Sequence, residues 1–147
     1  MYQRILVATD GSELSDRAVD HAIALADLTG AELVALRVVP RYPQTYFEGG
    51  VALGTAEVRQ IEKQWEDEAR ATVQAVKTRA QPRQVKVKPL TVKSDLVAEA
   101  IIAAAKRHKC DLIVMASHGR RGLKRLLLGS ETQQVLTHSH TPVLVLR

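Results

Sequence analysis

Five short apolar runs recur along the 147 residues, and between them lie stretches whose apolar side chains return every three or four positions. Ile5-Leu6-Val7-Ala8 is the first run, ended by the turn-forming Thr9-Asp10-Gly11-Ser12. Leu33–Val39, closed by Pro40, then Gln84–Val92, Asp111–Ala116 and Pro142–Leu146 are the others. The intervening periods predict helices over Glu13–Leu28, about Thr55–Arg79, roughly Asp95–Lys106 and Ser130 to about His138. Ser12 and Ser94 are placed to cap two of them, and Gly30 to stop the first. The third strand alternates, with Lys86 and Lys88 on its wetter side, which suits a sheet edge. Apolar strands alternating with helices imply a parallel sheet covered on both faces. Right-handed crossovers then give an α/β fold, an open doubly wound five-stranded parallel sheet of order 3-2-1-4-5. No repeat or linker interrupts the pattern, so residues 1–147 form one domain.

Composition narrows the function classes. The five aromatics are Tyr2, Tyr42, Tyr46, Phe47 and Trp65, so the core must be built from Ala, Val, Leu and Ile. The single cysteine, Cys110, excludes an intramolecular disulfide and a multi-cysteine metal site, and fits a reducing compartment. There is no apolar run of about 18 residues and no signal-peptide layout at Met1–Arg4, so no membrane partner is expected and the cytoplasm is the expected location. The net charge of +5 is spread along the chain without interleaved aromatics, which disfavours nucleic acid.

In a doubly wound sheet, ligands bind outside the carboxyl ends of the strands where the order reverses. Here that crevice runs between the turn at Asp10 and the loop Gly119–Ser130. G-x-G-x-x-G does not follow the first strand, G-x-x-x-x-G-K-[ST] is absent, and Asp10 has no acidic neighbour of the phospho-receiver kind. The chain instead carries Ala116-Ser117-His118-Gly119, nine residues, then Gly129-Ser130 opening a helix. Gly119 permits close approach of a ligand, Gly129 a tight turn, and the helix N-terminus offers backbone donors to an anion, with Ser130 able to cap it. Of the cations Arg120, Arg121, Lys124 and Arg125, the first two are expected nearest the anion. Asp10 fits either a pair of hydroxyls on a ligand or an Asx-turn, with the ligand favoured. Ser117 and His118 make a poor catalytic pair, since no carboxylate is placed to orient the imidazole. His138 and His140, at the last helix–strand junction, do not read as a metal pair. Leu126-Leu127-Leu128 is expected to pack onto the sheet rather than cover a ligand. Residues 40–54 form a long loop in which Tyr42, Tyr46 and Phe47 either close over a ligand or anchor the loop.

Taken together, Ile5–Ser12 (ILVATDGS), Leu33–Pro40 (LVALRVVP), Cys110–Gly119 (CDLIVMASHG), Gly129-Ser130 and Thr141–Arg147 (TPVLVLR) resemble the universal stress protein family over the whole chain. The resemblance to its nucleotide-binding branch implies ATP as ligand. Asp10, with Thr9 beside it, would hold the ribose, and Val39, followed by Pro40, would meet adenine through its backbone. Gly119, Gly129 and Ser130 would hold phosphates bridged by magnesium or manganese, with Ala116, His118, Arg120, Arg121 and Glu131 completing the contacts. The family also implies a homodimer through the last strand, Val143 to Leu146, whose apolar edge invites pairing. Two departures stand out: Ala116 replaces the first glycine of the motif, and Asp95 stands near where many members have glycine. The implied role is that of an ATP-binding regulatory protein of the stress response acting on an unknown protein partner. The alternatives are a dimeric interaction protein that no longer binds nucleotide and, less favoured, a slow ATPase or adenylyl-transferring enzyme. No general base or arginine finger is identifiable.

Overall fold

The computed structural model describes residues 1–43, 54–119 and 127–147. The expectations for Tyr46, Phe47, Arg120, Arg121, Lys124, Arg125 and Leu126 lie outside these residues. The elements follow the alternation read above: β1 (Arg4–Ala8), α1 (Glu13–Thr29), β2 (Glu32–Val39), α2 (Thr55–Ala80), β3 (Val87–Lys93), α3 (Val97–Arg107), β4 (Leu112–Ala116), α4 (Ser130–His138) and β5 (Val143–Leu146). All pairings are parallel and the sheet order is β3-β2-β1-β4-β5. β3 is therefore an edge strand, as its alternation implied.

Strand periodicity divides the core into two layers. Ile5, Val7, Leu33, Ala35, Leu112 and Val114 pack under α1 and α2, while Leu6, Val34, Leu36, Ile113 and Met115 pack under α3 and α4. The helices meet the sheet through small residues (Ala18, Ala22 and Ala26 of α1, Ala98, Ala104 and Ala105 of α3), which lets a core poor in aromatics close up.

Local chemistry sets most boundaries. Ser12 caps α1 by accepting from the Ser15 N–H at 3.2 Å, and Gly30 ends it with φ 74 in the left-handed region. Ser94 does not cap α3, which begins at Val97 behind Leu96 with no side-chain cap. The Ser94 hydroxyl instead accepts from the Leu96 N–H at 3.1 Å, closing a tight turn before the helix. Nor does Ser130 cap α4; it is the first helical residue, and Gly129 holds the cap position. The third strand starts later than the alternation suggested, because Gln81-Pro82-Arg83 forms a 3-10 turn and Gln84 sits at φ 57. Leu127 is 70% exposed and does not pack on the sheet, contrary to expectation.

α2 has 26 residues and so spans about 39 Å, longer than an eight-residue strand of about 26 Å. Its C-terminal half buries Ala69, Val73, Val76 and Ala80, while Val58, Ile61 and Trp65 are only half-buried where the helix overhangs the carboxyl edge of the sheet. Tyr42 stacks on Trp65 there, with ring centroids 6.0 Å apart, and its N–H donates to Glu62 Oε1 at 3.2 Å. Of the two roles open to Tyr42, this geometry selects anchoring.

Candidate functional site

β1 is central, β2 leaves it on one side and β4 lies on the other, so the order reverses at the carboxyl ends of β1 and β4. The turn leaving β1 is heavily bonded. The Thr9 N–H donates to Leu36 O at 2.9 Å, and Gly11 turns at φ 78. The Ser15 hydroxyl donates to Ser12 O at 2.9 Å, so in its 3.1 Å contact with Thr9 Oγ1 it accepts the threonine proton. Thr9 Oγ1 in turn accepts from the Gly11 N–H at 3.2 Å. Both hydroxyl residues are buried, which makes this network the foundation of the Asp10 loop. Asp10 Oδ1 accepts from the Ser12 N–H at 2.9 Å, so the Asx-turn is realised.

The other wall is the exit from β4. Ala116 ends the strand, is 8% exposed and is not among the residues with positive φ, so its backbone conformation is one that alanine adopts without strain. Its carbonyl accepts from Thr132 Oγ1 at 2.9 Å, tying α4 to β4. The Ser117 N–H donates to Leu146 O at 2.7 Å, and Ser117 O accepts from the Gly129 N–H at 2.7 Å, closing the neck of the loop. Gly129 has φ −59, so it is not needed for an unusual turn. Space explains it: a Cβ there would stand 3.2 Å from both Ser117 O and His118 Cα. A Cβ on Gly119 would collide with Asp10 Oδ2, so the carboxylate lies directly against this glycine. The two ends of the crevice thus converge. Ser130 and Glu131 open α4 beside the neck, with the Glu131 carboxylate exposed in the first turn.

Ser117 and His118 do meet, with Oγ and Nδ1 at 3.2 Å, but Ser117 is only 6% exposed. That geometry gives an attacking serine no room.

At the β2 side, backbone direction decides which residue faces the crevice. The Glu32 N–H donates to Gln3 O and Leu36 O accepts from Thr9, so even-numbered residues of β2 turn their polar groups toward β1. Leu33 bonds Lys86 and Val39 O accepts from the Ser94 N–H at 2.9 Å, so odd-numbered residues face β3. Pairing with β1 ends at Leu36. Val38, not Val39, therefore presents its N–H and C=O beyond the end of β1, and Val39 is buried with its carbonyl engaged. The strand period contains this signal, but the register that fixes its phase is not local. Pro40 follows, exposed, and the Arg41 N–H donates to Asp95 Oδ1 at 2.9 Å.

Charge at the rim is paired. Lys93 bonds Glu62 and lies 3.6 Å from Glu66. The hydrogen bond between Lys93 and Glu62 lowers the Glu62 carboxyl and raises the Lys93 ammonium from their ordinary values. Burial pushes the Cys110 thiol up to about 11, which suits a packing residue rather than a nucleophile. A separate cavity of about 260 Å³ lies at the opposite, amino-terminal end of the strands, lined by Arg4, Glu32, Lys86, Lys88 and His108 among others. Arg4 donates to His108 O at 2.7 Å and bonds Glu32, which also pairs with Lys86. Among the described residues no group of three or more His, Cys, Asp or Glu side chains is placed to hold a metal, and no helix is long and apolar enough to cross a membrane.

Comparison with known proteins gives a consistent outcome. A model of the universal stress protein family matches residues 1–147. Universal stress protein MJ0531 of Methanocaldococcus jannaschii is 36% identical over 147 residues, covering 100% of this chain and 83% of that protein. The solved structure of MJ0577 from the same organism superposes with a TM-score of 0.75 at 30% identity, covering 99% of this chain and 96% of that one. A universal stress protein in complex with cAMP superposes with a TM-score of 0.72 at 28% identity, covering 99% and 97%. With the five-stranded order 3-2-1-4-5 and a match from end to end, this chain belongs to the universal stress protein family.

Proposed function

We propose that the protein binds ATP in the crevice between Asp10 and Gly119–Ser130 and acts as a nucleotide-dependent regulatory protein of the stress response in the cytoplasm. One observation carries the reading: the Asp10 carboxylate and two space-limited glycines, Gly119 and Gly129, converge at the reversal of strand order, beside the N-terminus of α4. A carboxylate accepts hydrogen bonds from ribose hydroxyls, and the backbone N–H groups at the start of α4 donate to phosphate oxygens. Val38 takes the base-facing position. Arg120 and Arg121 remain the proposed phosphate neighbours. A magnesium or manganese ion would accompany the bound phosphates. The cAMP complex of a related protein supports the adenine class.

Binding would change the surface shown to a protein partner, and any hydrolysis would be slow, because no general base for attack is identifiable among the described residues. Ala116 needs no backbone conformation reserved for glycine, which supports retained binding. Denaturing the purified protein should release an adenine nucleotide, and calorimetry of the stripped protein with Mg-ATP should show saturable heat. Absence of both released nucleotide and binding heat at millimolar ATP would overturn the reading; turnover of many per second would replace regulation with enzymatic activity.

A further inference from the structure

The exit of β2 is clamped by a residue that the nucleotide reading leaves unused. Past Leu36, β2 is paired only with β3, through Arg37, Val38 and Val39. It then meets Pro40, which has no N–H to give, and the chain is caught again immediately beyond it. On one side of the proline the Ser94 N–H donates to Val39 O at 2.9 Å, and on the other the Arg41 N–H donates to Asp95 Oδ1 at 2.9 Å. Ser94 and Asp95 belong to one short turn, held by the Leu96 N–H on Ser94 Oγ. Asp95 is exposed and fills no core position, so its side chain is not needed for packing.

We propose that Asp95 is a positioning residue: by holding the Arg41 N–H it fixes the exit of β2, and with it the backbone edge at Val38 that would read a purine base. This rests on the nucleotide reading above. The chemistry selects adenine. A single residue offers one C=O and one N–H side by side, which match the 6-amino donor and the N1 acceptor of adenine; guanine presents an O6 acceptor and an N1 donor in their place, the reverse polarity. Such discrimination depends on the edge staying where β3 puts it, since a strand end free to pivot can turn either group toward the base. The Tyr42 anchor on Glu62 and Trp65 holds the next residue against α2, so loss of the Asp95 bond should loosen the exit without releasing the whole loop.

Asp95→Ala and Asp95→Asn separate the possibilities, because the asparagine carbonyl still accepts from Arg41. Amide exchange at Arg41 should accelerate about three- to tenfold in Asp95→Ala and stay near wild type in Asp95→Asn. In calorimetric titrations the ATP-to-GTP affinity ratio should fall by a similar factor in Asp95→Ala and be restored in Asp95→Asn, with melting temperatures unchanged. Unaltered Arg41 exchange in Asp95→Ala would overturn the clamp whether or not nucleotide binds. Faster exchange with an unchanged affinity ratio would overturn its role in base selection. Wild-type protein that binds neither nucleotide would overturn the nucleotide reading and the selectivity role together, while the exchange measurement still decides the clamp.

Discussion

Gly129 and Gly119 are both required by space, yet their neighbours set different costs. A methyl group on Gly129 would press on Ser117 O and His118 Cα, backbone atoms already fixed by the 2.7 Å bond from Gly129 N to Ser117 O. Gly129→Ala should therefore strain the neck and destabilise the protein by about 1–3 kcal/mol, read as a lower denaturation midpoint. On Gly119 the same methyl meets the Asp10 carboxylate, a side-chain end able to swing aside once its turn gives way. Gly119→Ala should leave stability within about 1 kcal/mol of wild type while weakening nucleotide binding, because it moves the carboxylate proposed to hold the ribose. Equal losses of stability in the two variants would contradict this division. The sequence placed Asp10, Gly119 and Gly129 at one crevice, and the structure sets the Asp10 carboxylate against Gly119 and leaves Gly129 no room for a side chain. What the sequence did not carry was the reason for Gly129, since a negative φ at that position cannot be told from a positive one without coordinates.

α3 illustrates how an element's end couples to pH. His108 sits at its C-terminal cap, and Arg4 donates to its carbonyl from β1. Burial first, then the charges of Lys88, Arg107 and Arg4, lower its imidazole from the ordinary value of 6.5. Glu32, across the cavity, is occupied with Arg4 and Lys86. A depressed folded-state value means that the unfolded chain takes up the proton first. Stability is therefore intact above pH 6.5 and declines as pH falls through the lower folded value. Denaturation midpoints measured between pH 7.5 and 5 should drop less in His108→Gln than in wild type; parallel curves would show that His108 contributes nothing. The apolar period identified α3, but its start was misplaced, because Ser94 spends its hydroxyl on a turn and leaves α3 without a side-chain cap.

At the scale of the molecule, β5 is an edge strand of the sheet among the described residues, and it is apolar: Leu144 is 39% exposed while Val143, Val145 and Leu146 are half-buried. Such an edge invites pairing with another strand. We expect a homodimer in which β5 meets β5 of a second copy, a self-complementary arrangement. Sedimentation should give a dimer for the wild type and a monomer for Leu144→Lys; a monomeric wild type at micromolar concentration would remove the proposal. The interface would also reach the site, since Leu146 O holds the Ser117 N–H at the mouth of the crevice.

Element order, parallel pairing and the two-faced core follow from the period of apolar residues, which is local and needs no partner to be read. The turn at Asp10 and the glycine pair were equally visible, because turn chemistry is confined to a few adjacent residues. Three features came only with the tertiary structure: Val38 rather than Val39 facing the crevice, Gly119 lying against Asp10, and Asp95 holding Arg41. Each joins residues far apart in the chain. Their identity depends on strand register, in which a shift of one residue turns every backbone group to the other side, and register is fixed by the packed sheet as a whole.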